Sequence, residues 1–118
     1  MIKNRQNVFR NAQILKEATE ESLNNVDHAF TVVLGGDHSQ AIGSITGYKS
    51  IYPDGRVIWI DAHIDVNSPK SSPSGNMHGM PVGVLTSIGE SLAPPILKKS
   101  ELAYFGIRDY EPEEEKFL

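Results

Sequence analysis

The chain has 118 residues, with 11 Lys and Arg against 15 Asp and Glu and no cysteine. That length makes one domain at most. The net charge of -4 argues against nonspecific nucleic-acid binding, and disulfides and thiolate metal sites are excluded. No apolar run nears the ~20 residues that span a bilayer, and the basic stretch at 1–10 lacks the apolar core of a secretory signal. A cytoplasmic protein with neither membrane nor nucleic-acid partners is expected.

Residues 7–24 predict a helix, with Val8, Ala12, Leu15 and Ala18 as its apolar stripe and Asn24-Asn25 at its end. Residues 30–34 form a short β-rich run that Gly35-Gly36 stops. After Asp37-His38-Ser39 a second helix is predicted over 40–51, with Ile42, Ile45 and Tyr48 on one face and Gly43 and Gly47 allowing close approach to a sheet. Pro53-Asp54-Gly55 is a turn. Residues 56–60 predict a second strand, apolar on both faces as strands covered on both sides are. Ser, Pro, Gly and Asn make 68–78 a loop, and a third helix follows over 81–87 with Pro81 in its first turn. Pro94-Pro95 breaks the chain, 101–105 predict a third strand, and the acidic tail 111–116 is helix-prone. The order α-β-α-β-α-β implies a three-layer α-β-α fold with a parallel sheet.

Functional groups in such a sheet collect at the carboxyl ends of the strands. All three strands end in polar constellations: Gly35-Gly36-Asp37-His38, the stretch Asp61-Ala62-His63-Ile64-Asp65-Val66-Asn67, and Arg108-Asp109. In extended backbone, Asp61, His63, Asp65 and Asn67 converge on one side while Ala62, Ile64 and Val66 face the other. Carboxylates and imidazole suit a divalent metal of mixed oxygen and nitrogen preference. Gly35 and Gly36 permit the turn that brings His38 to this row, whereas Asp37 reads as a helix cap. Two ions need a bridging carboxylate, and Asp61, first in the row, is best placed. Paired metals lower the pKa of a shared water so that hydroxide forms near neutral pH. His78, in the loop Ser74-Gly75-Asn76-Met77-His78-Gly79, suits proton transfer. Trp59, Met77 and Met80 are assigned to packing.

Gly35-Gly36-Asp37-His38-Ser39, then Asp61 to Asn67, then Ser74-Gly75-Asn76-Met77-His78-Gly79-Met80-Pro81, in this order and spacing, resemble the arginases of the ureohydrolase family over nearly the whole chain. The resemblance implies His38, Asp61, His63 and Asp65 as ligands of two Mn2+ ions, Asp61 bridging. It implies Asn67, Ser74 and Asn76 as binders of the arginine α-carboxylate. Glu111 and Glu114 would meet the α-amino group, Glu111 standing where the family usually has the shorter aspartate. His78 and Asp65 are the implied catalytic residues, and the reaction is hydrolysis of L-arginine to L-ornithine and urea by a metal-bridging hydroxide. Complete family members are expected to be homotrimers acting on a small molecule.

The family's later Asp-x-Asp metal segment is not in this sequence, so the resemblance implies residues 1–118 as a partial catalytic domain, inactive alone. Agmatinases resemble the first two motifs but lack the Ser-Gly-Asn-x-His-Gly stretch. A two-metal phosphoesterase has its Asp-x-His and Gly-Asp segments in the opposite order. A non-catalytic chain associating with full-length subunits is the third reading.

Overall fold

The computed structural model describes residues 2–25, 30–88 and 93–118. Helix α1 spans Arg5–Asn25 and packs along α2, Ala41–Ile51. The buried positions of α1 are Ala12 and Thr19, and Ala18 is exposed. The expected stripe therefore needs one correction, Thr19 in place of Ala18. Seven residues beyond Ala12 is close to two full turns, while six falls well round the helix.

Gly43 and Gly47 do permit a close approach, but to this helix and not to a sheet. A β-carbon at Gly43 would lie 2.5 Å from the Ala12 carbonyl oxygen, and one at Gly47 would lie 2.7 Å from that of Lys16. The glycines set the spacing of α1 against α2, and either replaced by alanine would force the helices apart.

Strand β1, Val57–Ile60, pairs in parallel with β2, Leu102–Phe105, in the register Val57↔Leu102 to Ile60↔Phe105. Glu101, expected to open the last strand, lies in the 3-10 turn Lys99–Glu101 before it. The connection runs through α3, Pro81–Thr86, as a parallel pair requires a crossover. A four-residue helix, α4, spans Pro112–Glu115.

One face of the strand pair carries the core: Trp59, Ile64, Val66, Val82 and Phe117 pack with Ala41 of α2. Each fully buried aliphatic side chain, such as Ile64 or Val82, contributes about 1.5–3 kcal/mol. The other face is bare among the described residues, with Ile58 and Ile60 71% and 74% exposed. The expected double cover of this strand is therefore seen on one side only.

Residues 30–34, expected to be the first strand, form none, and Phe30 and Leu34 are 87% and 90% exposed. β-propensity is a tendency to fit a half-buried pleated surface. Among the described residues nothing offers that surface to this run.

Candidate metal centre

Asp61 continues the ladder one step beyond β1, its N–H donating to the Phe105 carbonyl at 3.1 Å. Strand alternation puts its side chain on the same face as Trp59, the covered one. His38 reaches this face from a 3-10 turn, His38–Gln40, which Asp37 caps by accepting from the Ser39 N–H at 2.9 Å and from its hydroxyl at 2.5 Å. Those two hydrogen bonds hold the Asp37 carboxyl below the usual carboxylate range. Asp37 is thus a cap, as its position suggested.

The His38 ring lies flat on Trp59, with centroids 4.4 Å apart and planes at 25°. Its Nδ1 is 2.8 Å from Asp65 Oδ2 and 3.0 Å from Asp61 Oδ2. The hydrogen bond with Asp65 raises the His38 pKa above that of a free imidazole; burial opposes the rise, and the charges of Asp65, Asp61 and Asp37 add to it. One donor atom from each of His38, Asp61 and Asp65 lies within 4.8 Å of the others. Trp59, expected only to pack, is the shelf under this group. A tryptophan two residues before an aspartate at a strand end was the available signal.

Asp65 sits at φ +56°, in the left-handed region, and its carbonyl accepts from the N–H groups of Val82 and Gly83 at 3.0 and 3.3 Å. The start of α3 thereby clamps the loop that carries Asp65. The fit is close, because a β-carbon at Gly83 would lie 2.4 Å from the Asn67 carbonyl oxygen. This backbone reversal corrects the expected extended backbone of the row. Ile64 and Val66 are buried as predicted, but only Asp61 and Asp65 of the row meet at His38. Alternation holds only while the backbone stays extended, and β1 ends at Ile60.

His63 stands to the side, its Nδ1 3.4 Å from Asp61 Oδ1 and its Nε2 3.5 Å from Asp109 Oδ2. The two oxygens of Asp61 therefore face two different histidines. Asp109 belongs to the third expected strand-end constellation; the N–H groups of Arg108 and Asp109, both donating to the Ala62 carbonyl at 2.9 and 3.1 Å, bring it there.

A pocket of about 190 Å³ adjoins the group, its wall including Asn67, Ser74, His78, Glu111 and Glu114 with His63 and Asp65. Asn67 donates to Glu111 Oε2 at 2.7 Å and accepts from the Ser71 hydroxyl at 2.8 Å. Glu114 is buried, accepting from the N–H groups of Val66 and Glu111 at 3.0 and 3.1 Å. Burial is the main cause that pushes its pKa up to about 7, and the neighbouring carboxylate adds to it; hydrogen bonds from Glu114 and Asn67 lower that of Glu111. Asn76 is half-buried outside this wall, its N–H on the Ser74 hydroxyl at 3.2 Å. A larger hollow of about 430 Å³, between α1 and the His38 turn, contains neither His38 nor Asp61.

Fold and site together define an α/β protein with a histidine–dicarboxylate group and an acidic pocket beside the strand ends. A profile of the Arginase family matches residues 2–118, and the chain belongs to that family. It is 48% identical over 96 residues to arginase, non-hepatic 1, of Xenopus laevis, covering 74% of this chain and 27% of that protein. Its fold matches the crystal structure of Bacillus subtilis arginase with a TM-score of 0.87 at 36% identity, covering 98% of this chain and 42% of that one. Entamoeba histolytica arginase, solved in complex with L-ornithine, matches with a TM-score of 0.84 at 32% identity over 97% of this chain and 41% of its own. The chain thus spans well under half the length of these relatives.

Proposed function

We propose that this chain carries the metal-holding strand ends and the amino-acid pocket of an enzyme that hydrolyses L-arginine to L-ornithine and urea, residues 1–118 being part of one catalytic domain. The observation that carries the reading is Asp61, whose Oδ2 meets His38 while Oδ1 meets His63. A carboxylate shared between two histidines is what a two-ion centre requires. Two aspartates around one imidazole leave surplus negative charge, which suits Mn2+ or a similar divalent ion. His38, Asp61 and Asp65 would hold one ion, and His63 with Asp61 the other. Bound there, the ions supply a water ionised near neutral pH.

The rest falls to the chain's own side chains. Glu111 and Glu114 place negative charge where an α-ammonium would lie. Asn67 and Ser74 offer donors to an α-carboxylate, and Asn76 steadies the Ser74 hydroxyl through its N–H. His78, exposed on the pocket wall, moves the proton that the leaving amine needs. Among the described residues no helix is long and apolar enough to cross a membrane. We read the whole enzyme as a cytoplasmic homotrimer on its family resemblance. Residues 1–118 alone supply one ion with three protein ligands and the other with two, and are expected to bind Mn2+ weakly and release no urea. Their bare face, with Ile58, Ile60 and Phe105 exposed, also favours a second reading in which they associate with full-length subunits without catalysis.

The test uses a polypeptide that continues from these residues through the missing ligand segment. Asp61→Ala is expected to lower Mn content and urea release together, by more than the ~10–100-fold that loss of a ligand's support costs. Unchanged metal stoichiometry sinks the two-ion reading. The same enzyme should prefer arginine to agmatine by orders of magnitude, since agmatine lacks the α-carboxylate that Asn67 and Ser74 would hold. Equal kcat/KM for the two moves the assignment to an agmatinase.

A further inference from the structure

We propose that Trp59 is a positioning residue for the metal centre: its indole face fixes the plane of the His38 ring, so that Nδ1 stays aimed between Asp61 and Asp65. The inference rests on the metal-centre reading and goes beyond its ligand set. Trp59 is 4% exposed, two residues before Asp61 on the same face of β1, so one strand carries both a ligand and the shelf for its partner. The 4.4 Å, 25° stack is close enough to hold the ring flat.

Packing alone explains Trp59 poorly. Its buried Nε1 has no hydrogen-bond partner among the described residues, a cost that phenylalanine or leucine would avoid. What the indole offers is a broad flat face. The torsion that turns an imidazole about its Cβ–Cγ bond is broad, so something outside the side chain must set it. In the free site, the close approach of Nδ1, with its one proton, to the two carboxylates shares that task. An ion held at Nδ1 would displace that proton, and the stack would still set the ring.

The experiment uses the 118-residue chain and Mn2+ alone, with free Mn2+ read by electron paramagnetic resonance and folding by circular dichroism. Trp59→Phe keeps a flat ring, and Trp59→Leu keeps apolar bulk without one. We expect Trp59→Phe to bind within about threefold of wild type and Trp59→Leu to bind about 10-fold or more weakly. Equal affinities in all three, or equal losses in both variants, overturn the proposal. Absence of Mn2+ binding in the wild type overturns the metal-centre reading itself, a result distinct from either of those. Should Trp59→Leu fail to fold, the wild-type chain decides by NMR. His38 ring protons should lie upfield of those of His63 and His78, and stay there when diamagnetic Zn2+ is added. Ordinary shifts for the loaded His38 overturn the stack.

Discussion

The two ends of the β1–β2 pair both gather buried charge, and they treat it oppositely. At the entry end Lys49 Nζ has three acceptors, the carbonyls of Pro53 and Gly55 at 2.5 and 3.0 Å and Glu101 Oε2 at 3.0 Å. An ammonium has three N–H donors, so the cation is fully satisfied, and its charge is balanced by one carboxylate. The Glu101 carboxyl is held below its ordinary range by the Lys98 N–H first and by Lys49 next. At the exit end two carboxylates face His38, with Asp37 near and, among the described residues, only the exposed His63 beside the second charge. The entry end is a closed lock joining α2, the turn after it and the 3-10 turn that leads into β2. The exit end is short of positive charge, and that shortfall is the electrostatic signature of a cation site. Location within the sheet does not distinguish them; charge balance does.

Breaking the closed end should have the largest effect on stability. Lys49→Met strands Glu101 and two carbonyls, and is expected to lower Tm by roughly 5–10 °C. Pairing it with Glu101→Leu should restore part of the loss. Thermal melts of the single and double variants check this, and an unchanged Tm in Lys49→Met would show that the lock holds nothing. Mn2+ affinity of the folded fraction should not change.

Asp65→Asn sharpens the other side of the comparison. Asparagine tolerates the left-handed backbone at this position, and its side-chain oxygen can still accept from His38. Melting without metal should move by no more than a few degrees. A Tm rise on adding Mn2+ should appear in the wild type and vanish in the variant, since only a protein that binds the ion gains stability from it. A variant that responds like the wild type would show the exit end to be a structural ion pair after all.

The smallest expected effect is a pH dependence. Glu114 has a folded pKa of about 7, above its ordinary 4.5. The folded chain holds this proton more tightly than the unfolded chain does. Its contribution is therefore fully present below pH 4.5 and is lost as pH rises through 7. Glu111 runs the other way: its lowered pKa contributes above 4.5 and is lost as pH falls below it. The raised pKa of His38 acts in the same direction as Glu114 but above 6.5. Tm should then fall by a few degrees between pH 5 and 8, and Glu114→Gln should flatten the part of that slope below pH 6.5. An unaltered slope in the variant would assign the whole dependence elsewhere.

Much of this was written in local patterns. Proline in the first turn placed α3, and Gly35-Gly36-Asp37 placed a capped turn before α2, because caps and turns depend on a few neighbouring residues. Buried Ile64 and Val66 likewise followed from apolar residues alternating beyond a strand. The grouping of His38, Asp61 and Asp65 was legible because strand ends collect function and the motif spacing resembles a known family. What the residues alone left open were contacts between segments distant in sequence. Gly43 and Gly47 announced a close approach but not its partner, which proved to be α1. Pairing for 30–34 depended on neighbours that no local pattern names. The split of the expected row, with Asp65 turned to His38 and His63 left beside Asp109, came from the first N–H groups of α3 seizing the Asp65 carbonyl. Periodicity describes a chain only while its backbone repeats, and at that loop tertiary hydrogen bonds, not the repeat, chose the conformation.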